Sequence, residues 1–289
     1  MQGHPAHNIL LTGLPRSGTT LSCHILNSVP DIVALHEPMR VRDFALLPSH
    51  QDICQSIERY CTEQRRLLRV YGRGRSKQVG SRVPTNSHET TRVGGELRKS
   101  IVSGGDLVVE KTLSDDFVLV IKHIAAFAAI AEEAAKRFPV YALVRNPLAV
   151  LASWNSIDFA FRLGHAPAAE RLDPMLKLRL SAIDDQTDRE LALLSWFFAQ
   201  FSRHLPQSNI IRYENLISSD GGALSVIHPG VARLSKSLVS HNTNPLYNRE
   251  NTLRVGNRLL ESEGAYWEFY SRASVEALLE EFAAIVPKN

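Results

Sequence analysis

The stretch ILLTGLPRSGTTLSCHIL, residues 9–26, limits the folds open to this chain more than any other. An apolar run from Asn8 to Gly13 ends in glycine, and Thr19 to Ser28 places Leu21, Ile25 and Leu26 on one side of a helix. The stretch therefore reads as strand, tight loop, helix. Gly13 and Gly18 have the separation of a G-x-x-x-x-G phosphate loop, but Thr19 stands where such loops carry lysine. Backbone N–H groups of a glycine loop, backed by the positive end of a helix, can hold an oxyanion without that lysine. Arg16 adds a permanent cation, and Ser17, Thr19 and Thr20 add hydroxyls or further N–H groups.

Further short apolar runs follow at Ile32 to Leu35, Asp106 to Val109, Val140 to Val144 and Asn209 to Arg212. Helical patterns cover Asp116 to Phe138, Pro147 to Ile157, Thr187 to Leu205 and Ala273 to Val286. Pro147 suits a first helical turn, and Thr187 with Glu190 forms a capping box. In the last helix Val275, Leu278, Leu279 and Phe282 form the buried side. Buried strands alternating with helices predict an α/β fold with a central parallel sheet covered on both faces. Between Arg65 and Lys99 the sequence turns rich in Arg, Gly and Ser and loses apolar periodicity. This excursion from the sheet reads either as a solvated loop or as a lid or anionic-substrate surface. With no internal repeat and no linker, one domain carrying an insertion is the simplest organisation.

A chain of 289 residues, 44% of them hydrophobic, can bury a full core. A net charge of +3 suits a small anion and falls short of a nucleic-acid-binding stripe. Cys23, Cys54 and Cys61 are too few and too irregularly spaced for a disulfide framework or a zinc site, which points to a reducing compartment. The N-terminal residues lack a signal pattern, and no apolar run reaches the ~20 residues of a membrane span, so a cytoplasmic protein is expected.

A second anion site is expected in YALVRNPLAVLASW, residues 141–154, where Arg145 closes a strand beside a helix start and Ser153 follows on that helix. Together, GLPRSGTT and this segment resemble the cofactor motifs of the sulfotransferases that use 3′-phosphoadenosine 5′-phosphosulfate (PAPS). The resemblance runs from residue 9 to about residue 260 but is specific only at these motifs and at the Glu37 segment below. It implies a three-layer fold like that of the P-loop NTPases. It also implies that Pro15 to Thr20 hold the 5′ phosphosulfate, with Arg16 near the bridging oxygen and Thr19 and Thr20 on the 5′ phosphate. Arg145 and Ser153 would then hold the 3′ phosphate. NTLRVGNRL, residues 251–259, resembles the family's closing Arg-Lys-Gly loop through Arg254 and Gly256, although Val255 replaces the lysine. RYENLI, residues 212–217, resembles a strand end that would bring Tyr213 to the adenine or bury it as a structural residue.

Sulfuryl transfer needs a base for the acceptor proton, cations for the leaving oxygen and tight positioning, but no metal. VVEKTL, residues 108–113, matches the family's K-T-H segment except that Leu113 replaces the histidine; Lys111 remains as a ligand for a sulfonyl or bridging oxygen. IVALHEP, residues 32–38, resembles the branch that includes carbohydrate and tyrosylprotein sulfotransferases, with Glu37 as base. That role requires surroundings that let Glu37 accept a proton near neutrality. His36 is the alternative base, although neighbours on a strand point to opposite faces. His123 reads as a packed or surface histidine. Trp154, Asp158 and Phe159, with Phe161, would line the acceptor pocket or simply pack at the helix end. The acceptor expected is a small molecule, a natural product or a sugar, with no nucleic acid partner. A small-molecule kinase is the competing reading, and a non-catalytic anion binder ranks after it.

Overall fold

In β1 (Asn8–Gly13) every residue is buried, as a strand covered on both faces requires. The computed structural model describes residues 7–91, 96–234 and 237–284. β1 is the middle strand of a five-stranded parallel sheet ordered β2-β5-β1-β6-β7. The others are β2 (Ile32–His36), β5 (Val118–Lys122), β6 (Val140–Val144) and β7 (Ile210–Arg212). Leu10 faces Ile121 on one side and Val140 on the other, and β2 pairs with β5 from Ile32 opposite Val118 to His36 opposite Lys122. Helices flank this sheet: α1 (Thr19–Leu26), α2 (His50–Tyr71), α3 (Ala125–Ala129), α4 (Ala131–Ala135), α5 (Pro147–Trp154), α6 (Pro167–Glu170), α7 (Pro174–Ser181), α8 (Gln186–His204), α9 (Tyr213–Ser218), α10 (Arg249–Glu261) and α11 (Arg272–Ala284).

Three expectations change. Asp116 to Phe138 is not one helix, because Val118 to Lys122 form β5. A short apolar run satisfies either period, and here the space between β1 and β2 decides it. Asp106 to Val109 does not join the parallel sheet. Ser103–Val108 forms β4, antiparallel to β3 (Arg73–Gln78) in a separate hairpin. Of this strand only Leu107 is buried, too little apolar surface for a doubly covered position. The capping box at Thr187 also gives way: Asp185 caps α8 by accepting from the Asp188 N–H, while Thr187 accepts from Arg254 and Glu190 from Asn155.

Helix α2 overlaps the start of the excursion. Ile53, Cys54, Ile57, Cys61, Gln64 and Leu68 recur at helical spacing on its buried side, Ser49 caps its start, and it ends at Gly72. The three cysteines are buried and unpaired. In α11 Val275, Leu278 and Phe282 are buried as the spacing predicts, whereas Val286 lies outside the described residues. Among the described residues no helix is long and apolar enough to cross a membrane.

Because all five strands run the same way, the segments after β1, β2, β5, β6 and β7 leave one edge of the sheet, the usual ligand-binding edge of such folds. Gly13 makes the tight exit from β1 possible. Its φ is +150°, and a Cβ there would lie 2.5 Å from the Leu143 carbonyl oxygen. Gly13→Ala is expected to destabilise the protein by about 2–3 kcal/mol. Urea unfolding would show this as a lower midpoint at unchanged slope.

Candidate functional site

The strand-end segments line a cleft of about 930 Å³ whose walls include Arg16, Glu37, Lys122, Arg145 and Tyr213. Each of these residues lies at, or within three residues of, the C-terminal end of a different strand of the parallel sheet.

After β1 the loop turns at Arg16, whose φ of +73° is left-handed, and at Gly18, with φ +92°, which precedes α1 with no side-chain cap. The first turn of α1 therefore keeps its positive end open toward the cleft, the arrangement an oxyanion needs. Pro15, Gly18, Thr19 and Thr20 line the cleft. Ser17 does not: it is fully buried, and its hydroxyl donates to the Leu14 carbonyl at 2.7 Å. Burial, reinforced by the Arg98 and Arg145 guanidiniums, pulls Arg16 down to about 10, which leaves it charged at neutral pH.

Arg145 follows β6 and is 3% exposed. Its Nη1 donates to the Arg16 carbonyl at 2.8 Å, its Nη2 to the His241 carbonyl at 2.6 Å, and its Nε to Asn242 Oδ1 at 2.8 Å. Its plane stacks 4.5 Å from the centre of the Tyr213 ring. Tyr213 in turn accepts from the His241 N–H at 3.0 Å. Ser153 is buried beneath the cleft wall and accepts from Arg16 Nε at 3.2 Å. Burial works against ionisation of Tyr247, but Arg145, Ser153 and Arg16 together hold its phenol below the usual value.

At the end of β2, Glu37 takes the left-handed φ of +45° and forms two short ion pairs, 2.8 Å to Lys122 Nζ and 2.6 Å to Lys77 Nζ. Burial disfavours its charge, yet Lys122 above all, with Lys77 beside it, holds its carboxyl well below the ordinary glutamate range. The surroundings therefore make Glu37 permanently ionised rather than raise its basicity toward neutrality. His36 also lines the cleft. Its Nε2 is 3.8 Å from Glu37, and burial together with Lys122 lowers it to about 2, so it stays neutral. His123 is a packed residue whose Nε2 accepts from the Met39 N–H at 3.1 Å, fixing the bend after Glu37.

Besides Ser17 and Ser153, five expected site residues do not line the cleft. Lys111 donates to the Asn27 and Val29 carbonyls at 3.0 and 2.7 Å, closing the end of α1. The strand-end lysine of the cleft is Lys122, concealed in the sequence by the helical reading of its segment. Arg254 lies on α10, bonded to Thr187 and Asn251, and a Cβ on Gly256 would meet Leu279 and Leu148 at 2.5 and 3.2 Å. The segment that reaches Arg145 is instead the one carrying His241, Asn242 and Tyr247. Trp154 is fully buried and donates to the Pro15 carbonyl at 2.9 Å, so it braces the loop rather than meeting a ligand. Asp158 is exposed and does not line the cleft. Phe159 does, 47% exposed, and packs tilted against Phe161, which stacks on Trp154.

Sequence reasoning also missed the role of residues 85–88. Asn86 Oδ1 and His88 Nδ1 receive Arg16 Nη1 at 3.0 and 3.2 Å, and Ser87 Oγ meets Thr20 Oγ1 at 2.8 Å. This part of the excursion is folded onto the loop after β1, and Arg98 anchors it by donating to Ser156 Oγ at 2.5 Å. No apolar periodicity announces such polar docking. Residues 92–95 of the excursion lie outside the described residues. Among the described residues, no group of three His, Cys, Asp or Glu side chains could hold a metal.

No family model matches this chain, and no curated protein matches it.

The Glu37 pairs make stability depend on pH. A carboxyl lowered on folding stabilises the fold above the unfolded value of about 4.3, and that stability is lost as pH falls through the lower folded value. Glu37→Gln leaves Lys122, 1% exposed, without its charge partner and is expected to cost about 3 kcal/mol at pH 7. Urea unfolding of both proteins over a pH series should show this difference shrinking below about pH 4.

Proposed function

We propose that this protein is a PAPS-dependent sulfotransferase with a fold of the P-loop NTPase type. It would move a sulfo group to a hydroxyl or amine of a small-molecule acceptor. The observation that carries the reading is the convergence, in one cleft, of an uncapped loop-helix anion cradle at Arg16, a second buried cation at Arg145, and the ionised Glu37 paired with Lys122. Cations for the leaving oxygen, a second cation for a second phosphate and a carboxylate for the acceptor proton are what this transfer needs.

The residues present fit the nucleotide. Gly18 lets the loop pack closely on the start of α9, since a Cβ there would crowd Tyr213 at 3.0 Å. Arg16 and the first N–H groups of α1 would hold the 5′ phosphosulfate oxygens, and Arg145 would face the 3′ phosphate. In the transfer, the acceptor O or N would bond to sulfur as the bond from sulfur to the bridging oxygen breaks in line, and the acceptor O–H or N–H bond would break last, its proton passing to Glu37. 3′-Phosphoadenosine 5′-phosphate (PAP) leaves.

Glu37 takes the acceptor proton. Its lowered value makes it a weak base toward a resting hydroxyl, so proton transfer comes late, once bonding to sulfur has made the acceptor acidic. Lys122 turning from Glu37 to the bridging oxygen would strengthen the base and stabilise the leaving charge in one movement. Val41, Ala126, Phe159 and Pro167 give the rest of the cleft an apolar wall suited to a small organic acceptor.

Titration calorimetry without magnesium, with PAP, 5′-AMP and ATP, tests the reading. PAP is expected to bind at least about tenfold more tightly than 5′-AMP, and Arg145→Ala to abolish that preference. Equal or absent binding of PAP would sink it. Glu37→Gln should lower turnover by about 10²-fold or more while PAP affinity stays within about threefold.

A further inference from the structure

The docked segment 85–88 leaves one polar atom unaccounted for. His88 is 8% exposed and lies on the wall of the cleft. Its Nδ1 is 3.2 Å from Arg16 Nη1. A guanidinium has only hydrogens to offer, so Nδ1 accepts and the ring proton of the neutral imidazole resides on Nε2. Burial, strengthened by Arg16 and Arg98, lowers His88 to about 3, which keeps the ring neutral at pH 7. Nε2–H is then a buried donor with no partner among the described residues.

The ring cannot turn away cheaply to find one. Arg16 holds its Nδ1, Asn86 Oδ1 accepts from the His88 backbone N–H at 3.2 Å, and Phe159 packs edge-to-face at 6.5 Å. A rigid donor set between cations on a cleft wall is matched by an oxygen that carries negative charge. His36 offers no such argument: its Nε2 is too far from Glu37 to fix the tautomer, so the unpartnered Nδ1 has no assigned role as donor or acceptor.

Resting on the sulfuryl-transfer reading, we propose that His88 is a ligand-binding residue whose Nε2–H donates to an oxygen of the anionic ligand across the ring from Arg16, either a sulfo or a 5′-phosphate oxygen. The ring's only lone pair is engaged by Arg16, so His88 acts as a fixed neutral donor and not as a base. The proton of the acceptor still goes to Glu37. The excursion thereby completes the anion site that the sheet begins, and its residues 86–88 form one wall of it.

The test uses the full chain with ¹⁵N-labelled histidine and two probes, inorganic sulfate and PAP, added separately. NMR of the imidazoles is expected to show His88 as the Nε2–H tautomer at about pH 7, with that proton moving downfield on addition of either or both anions. His88→Asn keeps a polar group near Nδ1 and loses the distant donor, while His88→Gln places an amide N–H near Nε2. His88→Asn should weaken the contacted anion about tenfold, and His88→Gln should recover most of that loss.

A loss for PAP assigns the contact to a 5′-phosphate oxygen, and one confined to sulfate assigns it to the sulfo position. A His88 found as the Nδ1–H tautomer would overturn the proposal, as would a ring unmoved by both anions. Sulfate contacting His88 in a protein that does not bind PAP would keep the oxyanion donor and reject the nucleotide reading. PAP binding tightly with His88 undisturbed by both probes would do the reverse.

Discussion

The buried guanidinium of Arg145 is the interaction on which the rest of the cleft depends. Placed by the end of β6, it ties three chain segments together: the loop after β1 through the Arg16 carbonyl, the segment at residues 241–242 through a carbonyl and an amide, and the start of α9 through the Tyr213 ring. None of these segments pairs with another in the sheet. Without a charge-assisted hub each would have to satisfy its own polar groups in a place where water is largely excluded. The same side chain keeps a positive charge on the cleft wall while spending most of its donors on the protein, so its effect on an anion is chiefly electrostatic and positional. Ser153 supports the neighbouring cation by accepting from Arg16 Nε.

The excursion acts at two places in the cleft. Lys77, on β3 of the hairpin, reaches Glu37 at 2.6 Å, while Asn86, Ser87 and His88 close on Arg16 and Thr20. One inserted segment thus sets the charge balance at the carboxylate and covers the cation of the loop. The two residues concerned, Arg16 and Glu37, are also two of the five non-glycine residues with left-handed backbone among the described residues. Such conformations persist only where surrounding contacts enforce them, and here the enforcing contacts are polar.

How much of this was legible follows from which forces wrote it. The β1 loop, β6 with Arg145, and Glu37 at the end of β2 were readable because buried parallel strands leave continuous apolar runs and the polar residues follow directly at their ends. Lys122 was not, since Val118 to Ile121 sit next to an alanine-rich stretch and a four-residue apolar run fits a helix as well as a strand. Lys111 was misplaced for the complementary reason: Val108 and Val109 resemble a strand end, but Gly104, Gly105 and Asp106 deny β4 the apolar side a central strand requires. Arg254 shows the limit of short matches, because an arginine and a glycine two apart also suit a helix packed on Leu148 and Leu279. The docking of residues 86–88 leaves no periodic trace at all, being made of single hydrogen bonds between positions about 70 apart in the chain.

The depressed Glu37 carboxyl need not conflict with a role as base. A carboxylate that titrated near neutrality would be protonated in part of the population and could not accept, whereas one held between Lys122 and Lys77 is always ionised. What it lacks is strength, and strength is set by the same two cations. Lys122 is nearly inaccessible and Lys77 is 41% exposed, so the two contributions differ: the buried pair is little screened and dominates, while the exposed one is softened by water. Any anion that draws the Lys122 ammonium even partly toward itself removes the larger of the two and raises the affinity of Glu37 for a proton. In the proposed transfer, the strength of Glu37 as a base is therefore coupled to the anion through one side chain, Lys122.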